Sequence, residues 1–313
     1  MMSGQRDILL AIYFLIFVAA LNFHSCGSRQ AVPQPVPSLI EQHAEPEPPT
    51  RAEQVMNALL EAYPNQIEKV EFRNDDWALL MQGAWYYYAE GRLLPENRLE
   101  NAANYRAVIF YRYPAELPPL VERNSEVPAR IRNNRNAGDQ NTPRRSSYFM
   151  DALWQAHSRA EVYNNIRTIN FLGKTARVHN LIFDKLTLVE ARILAAAKTD
   201  PQVQAWINDI SIAESWVWRN IADSQNRSYH SYGIAIDLLP KSLRNRQVYW
   251  LWTSQHRKEW WNVPYSERYH HPAVVISAFE AYGFIWGGKW LRFDTMHFEY
   301  RPEVLILSGM PPA

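Results

Sequence analysis

Apolar positions along the chain follow three regimes: a continuous run near the start, helical or alternating spacing through most of the length, and two polar interruptions. Val55, Met56, Leu59 and Leu60 recur at helical spacing before Pro64 and predict an amphipathic helix. Trp77-Ala-Leu-Leu-Met81 and Ala84-Trp-Tyr-Tyr-Tyr88 flank Gln82-Gly83 and predict a hairpin. Tyr105 to Tyr113 predicts a further strand, stopped by Pro114. Glu116 to Arg145 is too poor in apolar residues for a core element and predicts a long solvated loop. Its arginines offer the alternative of a contact to an anionic polymer.

Helical spacing returns at Ser146 to His157, with Phe149, Met150, Leu153 and Trp154 on one face. Thr187-Leu-Val-Glu190 has the form of a capping box and predicts a helix running to Lys198. Asp200-Pro201 predicts an N-cap followed by proline at the first helical position, with the helix ending at Asp209. Ile234-Ala-Ile236 leads into Asp237-Leu-Leu239 as a buried strand, and Trp250 to Trp261 predicts a helical or irregular insertion. Pro272 to Tyr282 predicts a helix closed by Gly283, after which Phe284-Ile-Trp286 and the last segment form strands. The pattern predicts an α+β protein with few strands.

The N-terminal region adds organisation to this outline. Ile8 to Leu21 is an uninterrupted apolar run of fourteen residues, short for a membrane span of about twenty. We expect residues 1–25 to be a signal peptide and residues 26–50, rich in Pro and Glu, to be an extended tether. We expect residues 51–145 to form an accessory region with the long polar loop, and residues 146–313 to form the main domain. Cys26, the sole cysteine, is the expected lipidation site, with an uncleaved signal anchor as the alternative. An exported, membrane-anchored lipoprotein of the cell envelope or periplasm is the expected location.

One cysteine permits no internal disulfide, so stability must come from packing. Apolar residues make up 47% of the chain, enough for one large core or two small ones. With 33 basic and 32 acidic residues, the chain shows no sign of a nucleic-acid surface.

Candidate chemistry is concentrated in two segments: Ser228-Tyr-His-Ser-Tyr-Gly-Ile-Ala-Ile-Asp237 and Asp294-Thr-Met-His-Phe-Glu299. A hydrolytic zinc ion takes three protein ligands and keeps a fourth position for water. His230, Asp237 and His297 would supply that set, leaving Asp294 as a base three residues from His297. Gly233 permits a tight bend after the first ligand. Ser228 tightens the turn before His230, and Glu299 either orients a ligand histidine or lies on a surface strand. Trp286 and Trp290 flank Gly287-Gly288 and are candidates for the cleft wall. His256, His270 and His271 sit in a polar setting that argues against ligation.

Ser-x-His-x-x-Gly-x-Ala-x-Asp, Trp-Gly-Gly-x-Trp and Asp-x-x-His-Phe-Glu together resemble the M15 zinc peptidases of bacterial cell walls over roughly Phe149 to Pro302. The resemblance is nearest the branch of D-alanyl-D-alanine carboxypeptidases and L-alanyl-D-glutamate endopeptidases. It implies a small antiparallel sheet with flanking helices, a core like that of Hedgehog and D-Ala-D-Ala peptidases. It also implies one catalytic Zn²⁺ on His230, Asp237 and His297, Asp294 as general base, and peptidoglycan stem peptides as substrate. Arg219 matches an arginine that faces the substrate and the developing oxyanion in such enzymes. The position of Glu299 separates the chain from the His-x-His designs, and a His-Glu-x-x-His pair is absent. The alternatives are a wall-binding lipoprotein that retains the fold without turnover, and a zinc amidase or dipeptidase with another substrate.

Overall fold

The computed structural model describes residues 49–108, 110–120, 143–221 and 224–313. The apolar run, Cys26, nearly all of the tether and most of the polar loop lie outside the described residues. Residues 48–313 form one compact unit. No helix among the described residues is long and apolar enough to cross a membrane.

The first helix, Arg51–Ala62, is capped by Thr50, whose side chain accepts from the Glu53 amide. Its buried face carries Val55, Met56, Ala58 and Leu59, the spacing expected of an amphipathic helix. Strands β1 (Ile67–Arg73), β2 (Asp76–Met81), β3 (Ala84–Tyr87) and β4 (Leu94–Pro95) form an antiparallel sheet in sequence order. The β2–β3 turn is the expected one: Gln82 and Gly83 both have positive φ, at 53° and 72°, as a two-residue hairpin turn requires.

Beyond this sheet, β5 (Tyr105–Arg106) is only two residues long and pairs in parallel with β6 (Arg144–Arg145). The strand expected from Tyr105 to Tyr113 therefore stops after two residues. Its aromatic side chains are held individually instead: the Tyr113 hydroxyl donates to Glu280 Oε1 at 2.6 Å, and Tyr111 Oη accepts from Trp290 at 2.6 Å. Tyr111 and Tyr113 are fixed by these side-chain bonds, and the Val108 amide donates to the Gly91 carbonyl at 2.8 Å.

The hairpin β7 (Ile166–Phe171) and β8 (Lys174–His179) precedes the helix Phe183–Ala197. That helix starts four residues before Thr187, so the capping-box expectation is wrong: Thr187 sits inside the helix and its hydroxyl donates to the Phe183 carbonyl. Within a helix, this bond to the i−4 carbonyl is the ordinary fate of threonine. The next helix, Pro201–Asp209, opens as expected, with the Asp200 side chain accepting from the Gln202 amide.

The site is built on the second four-stranded sheet, ordered β11 (Phe284–Trp286), β12 (His297–Tyr300), β10 (Ala235–Pro240), β9 (Ile210–Glu214), and all antiparallel. The helix Ala273–Ala281 leads into β11 through Gly283, whose φ is 95°. Beneath the sheet, Phe279 stacks on Phe298 at 3.9 Å between centroids. The accessory region shares this core. Tyr63 meets Trp154 and Tyr300 edge-on, and its hydroxyl donates to the buried Glu303.

Mixed helices and small antiparallel sheets make the protein α+β, as expected.

Candidate metal centre and active site

Asp237 lies opposite His297 in the antiparallel β10–β12 ladder, and Ala235 lies opposite Glu299. Residues directly opposite share one face of a sheet, so Asp237, His297 and Glu299 project together. His230 arrives from the short 3₁₀ turn Tyr229–Tyr232 just before β10. Ser228 caps that turn, its side chain accepting from the His230 amide. The turn ends at Gly233, with φ at 71°, where an added Cβ would lie 2.9 Å from the His179 amide nitrogen. Only glycine fits both the left-handed conformation and the close approach.

The three donor atoms form a tight triangle. His297 Nδ1 lies 2.8 Å from Asp237 Oδ1, His230 Nε2 lies 3.2 Å from the same oxygen, and the two nitrogens are 3.2 Å apart. Two nitrogens bound to one tetrahedral zinc at about 2.05 Å would lie roughly 3.3 Å apart. All three side chains are buried and together could hold a metal ion.

Each imidazole is also turned by a partner outside the triangle. His230 Nδ1 donates to the Ser215 carbonyl at 2.6 Å, which leaves Nε2 as the lone-pair nitrogen. His297 Nε2 faces Glu299 Oε2 at 3.1 Å, which leaves Nδ1 toward Asp237. Such partners fix tautomer and ring orientation in metal sites. Glu299 is therefore a buried orienting residue, not a surface one.

The electrostatics suit a cation. Burial alone would raise Asp237, but the His230 and His297 rings overcome it and hold the carboxyl well below the usual range. Burial disfavours a charged His297, yet the bonds to Asp237 and Glu299 win and raise its pKa well above that of ordinary histidine. Two carboxylates thus concentrate negative charge on one ring.

Asp294 sits beside this centre, outside the triangle. Its backbone is pinned by a hydrogen bond from its amide to the Gly287 carbonyl and by a bridge to Tyr249. Its Oδ1 is buried and has no hydrogen-bond partner among the described residues. Burial pushes the carboxyl up to about 7; His297 pulls it down and Asp237 pushes it further up. Arg219 is exposed, close enough to lower Asp294 electrostatically, and its backbone is tied to the Ser231 hydroxyl at 2.9 Å.

The two tryptophans divide. The ring of Trp290, half-buried, lies 5.7 Å from that of His297 and belongs beside the site. Trp286 is fully buried, so it cannot form the cleft wall expected for it. Its indole donates to the Thr295 carbonyl at 2.8 Å and braces the segment carrying Asp294. Gly287 and Gly288 make room: a Cβ on the first would lie 2.5 Å from the Asp294 carbonyl, and on the second 2.1 Å from the Trp286 indole.

His270 and His271 are held away from the centre, by the Tyr265 carbonyl and by Trp206 respectively. The orienting Ser215 carbonyl left no mark in the sequence, since every residue carries one.

Three buried side chains that could hold a metal ion converge on one point, with the Asp294 carboxylate to spare, a donor set that fits a hydrolytic metal centre. Residues 222–300 match the peptidase M15 family model described as D-alanyl-D-alanine carboxypeptidase, and residues 55–110 match a domain of unknown function. The first match supports the M15 family and a peptidase; it takes in His230, Asp237, Asp294, His297 and Glu299 but stops short of Arg219. No curated protein and no solved structure matches the chain.

Proposed function

We propose that the protein is a zinc peptidase that hydrolyses peptide bonds in peptidoglycan stem peptides, as a D-Ala-D-Ala carboxypeptidase or an L-Ala-D-Glu endopeptidase. The observation that carries this reading is the convergence of the His230–Asp237–His297 triangle with the unpartnered carboxylate of Asp294.

His230 Nε2, Asp237 Oδ1 and His297 Nδ1 would hold the ion. Bound there, zinc supplies Lewis acidity, which polarises the scissile carbonyl and makes water acidic enough to lose a proton near neutral pH. Asp294 accepts that proton as the water attacks, and returns it to the leaving amine. A carboxyl pushed up to about 7 suits both transfers, because it gains and loses a proton near the working pH. Arg219 donates hydrogen bonds to the charge developing on the carbonyl oxygen, or to a substrate carboxylate. Trp290 closes one side of the centre against water. The catalytic core would share the Hedgehog and D-Ala-D-Ala-peptidase type of architecture. The apolar run followed by Cys26 suits export and a lipid anchor, which would set the enzyme in the cell envelope.

The test is incubation of purified protein with muropeptides, with and without chelator, followed by mass spectrometry. Loss of terminal D-Ala identifies a carboxypeptidase, and separation of L-Ala from D-Glu an endopeptidase. A protein that binds one zinc ion and cleaves neither bond would instead be a wall-binding protein.

A further inference from the structure

A second concave site is lined in part by Tyr229 and Tyr232, two residues of the turn that carries His230. Its cleft, of about 280 Å³, is formed between Arg144, Arg145 and Ser146 on one wall and Asn226, Arg227 and Tyr229 on the other. Tyr229 immediately precedes the ligand His230, and its hydroxyl accepts from Arg301 at 2.6 Å. The two walls are joined where the Arg145 amide donates to Asn226 Oδ1 at 2.9 Å.

Burial disfavours the charged form of Arg145, and Tyr229 and Glu299 act on it electrostatically in the opposite sense without forming an ion pair among the described residues. Arg106 and Arg145 are register partners in the β5–β6 pair, and Arg144 is adjacent. Like charges directly opposite one another on paired strands are destabilising. Among the described residues, none of these three guanidinium groups forms an ion pair. Arg227, by contrast, is already engaged by Asp151 and the Ala156 carbonyl. Two polar groups are also left over. Among the described residues, Ser146, 5% exposed, lines the cleft with its hydroxyl unpartnered, and the buried Nε of Arg106, which is outside the cleft lining, likewise has no acceptor. A buried donor without an acceptor is costly, and here the missing partner is an acceptor bearing negative charge.

We propose that this cleft is a carboxylate-binding subsite that selects peptide substrates carrying an acidic residue, with Arg144, Arg145 and the Ser146 hydroxyl as donors. The inference rests on the peptidase reading and adds a specificity determinant to it. The size favours one amino-acid side chain over a polymer, since the cleft is near the lower end for small-ligand sites. The cleft and the candidate metal centre are linked by Tyr229, which immediately precedes His230, and by Glu299, which acts electrostatically on Arg145. The donors come from residues 144–146, outside the residues 222–300 that match the peptidase family. Selection for acidic peptides would thus be a property of this chain's own connecting segment.

Two measurements on the full chain test the subsite. The first is kcat/KM for matched peptides that differ only in a side-chain carboxylate or its carboxamide. Wild type should prefer the acid by on the order of tenfold or more, the usual worth of a charged hydrogen bond. Arg145→Gln and Ser146→Ala should bring that ratio toward one, chiefly through KM, and Arg145→Lys should retain part of it. Equal turnover of acid and amide by wild type, or a ratio unmoved in Arg145→Gln, overturns the proposal.

The second measurement is calorimetric binding of the acidic peptide and of inorganic phosphate to Asp294→Asn protein with and without Arg145→Gln. Arginine-dependent binding of the acidic peptide supports the subsite even if no peptide is cleaved, so failure of the peptidase reading remains distinguishable. Tighter arginine-dependent binding of phosphate than of the peptide overturns the carboxylate assignment.

Discussion

His297 and Glu299, two residues apart on β12, face the same side of the sheet, and the carboxylate meets the Nε2 of the imidazole at 3.1 Å. Arg301 continues the chain, with a nitrogen 3.5 Å from the other Glu299 oxygen. His297 is therefore the first member of a row of alternating charge, His297, Glu299 and Arg301, whose first two members are set on one face of β12 by strand alternation.

Glu299→Gln tests that relay. An amide can still accept from the ring but contributes no charge to its basicity, so metal affinity should fall by about ten- to a hundredfold. Competition with a chromophoric chelator measures it. Unchanged affinity would reduce Glu299 to a packing residue.

A second prediction separates ligands from base. His230→Ala and His297→Ala remove one corner of the donor triangle and should leave purified protein without stoichiometric zinc. Asp294→Asn should keep one zinc and lose about 10²- to 10⁴-fold in kcat, the typical worth of a general base. Metal analysis beside kinetics decides the matter: equal zinc loss in all three variants would make Asp294 a ligand.

The parts legible in sequence were those governed by local spacing. The Ile234–Ile236 alternation gave the β10 strand that presents Asp237, and Gln82-Gly83 gave the hairpin turn, because both are set by neighbours in the chain. Contacts between distant segments were not legible. Trp286 looks like a cleft residue beside two glycines, but those glycines let its indole pack inward under Thr295. Tyr105 to Tyr113 reads as a strand stopped by Pro114, yet Tyr111 and Tyr113 bond to Trp290 and Glu280, far along the chain. Arg145 falls in a polar stretch, and only the fold sets it against Asn226.

Gly287→Ala should damage catalysis without emptying the metal site. The new Cβ would meet the Asp294 carbonyl at 2.5 Å and the Trp290 ring at 2.9 Å, so the base-bearing segment must move. A displacement of about 1 Å in a catalytic group costs on the order of a hundredfold. We expect a kcat loss of that order with zinc content unchanged and a lowered melting temperature. Wild-type kcat would show that the segment adapts without moving the carboxylate.

The raised pKa of Asp294 also makes a stability prediction with a definite sign. In the folded protein burial pushes the carboxyl up to about 7, from an ordinary value of 3.8. Between those values the folded state retains a proton that the unfolded state has released, so stability falls as pH rises through this window and stays lower above it. Asp294→Asn removes the penalty. In chelator-treated protein the variant should therefore be more stable than wild type at pH 8, by on the order of a few kcal/mol, and nearly equal to it at pH 4. Adding zinc should shrink the gap at pH 8, because a nearby cation favours the charged carboxylate. Melting curves of both proteins at the two pH values, with and without metal, check this. A variant no more stable than wild type at pH 8 would mean that the Asp294 carboxylate is already solvated or partnered when charged, and its role as a desolvated base would fall with it.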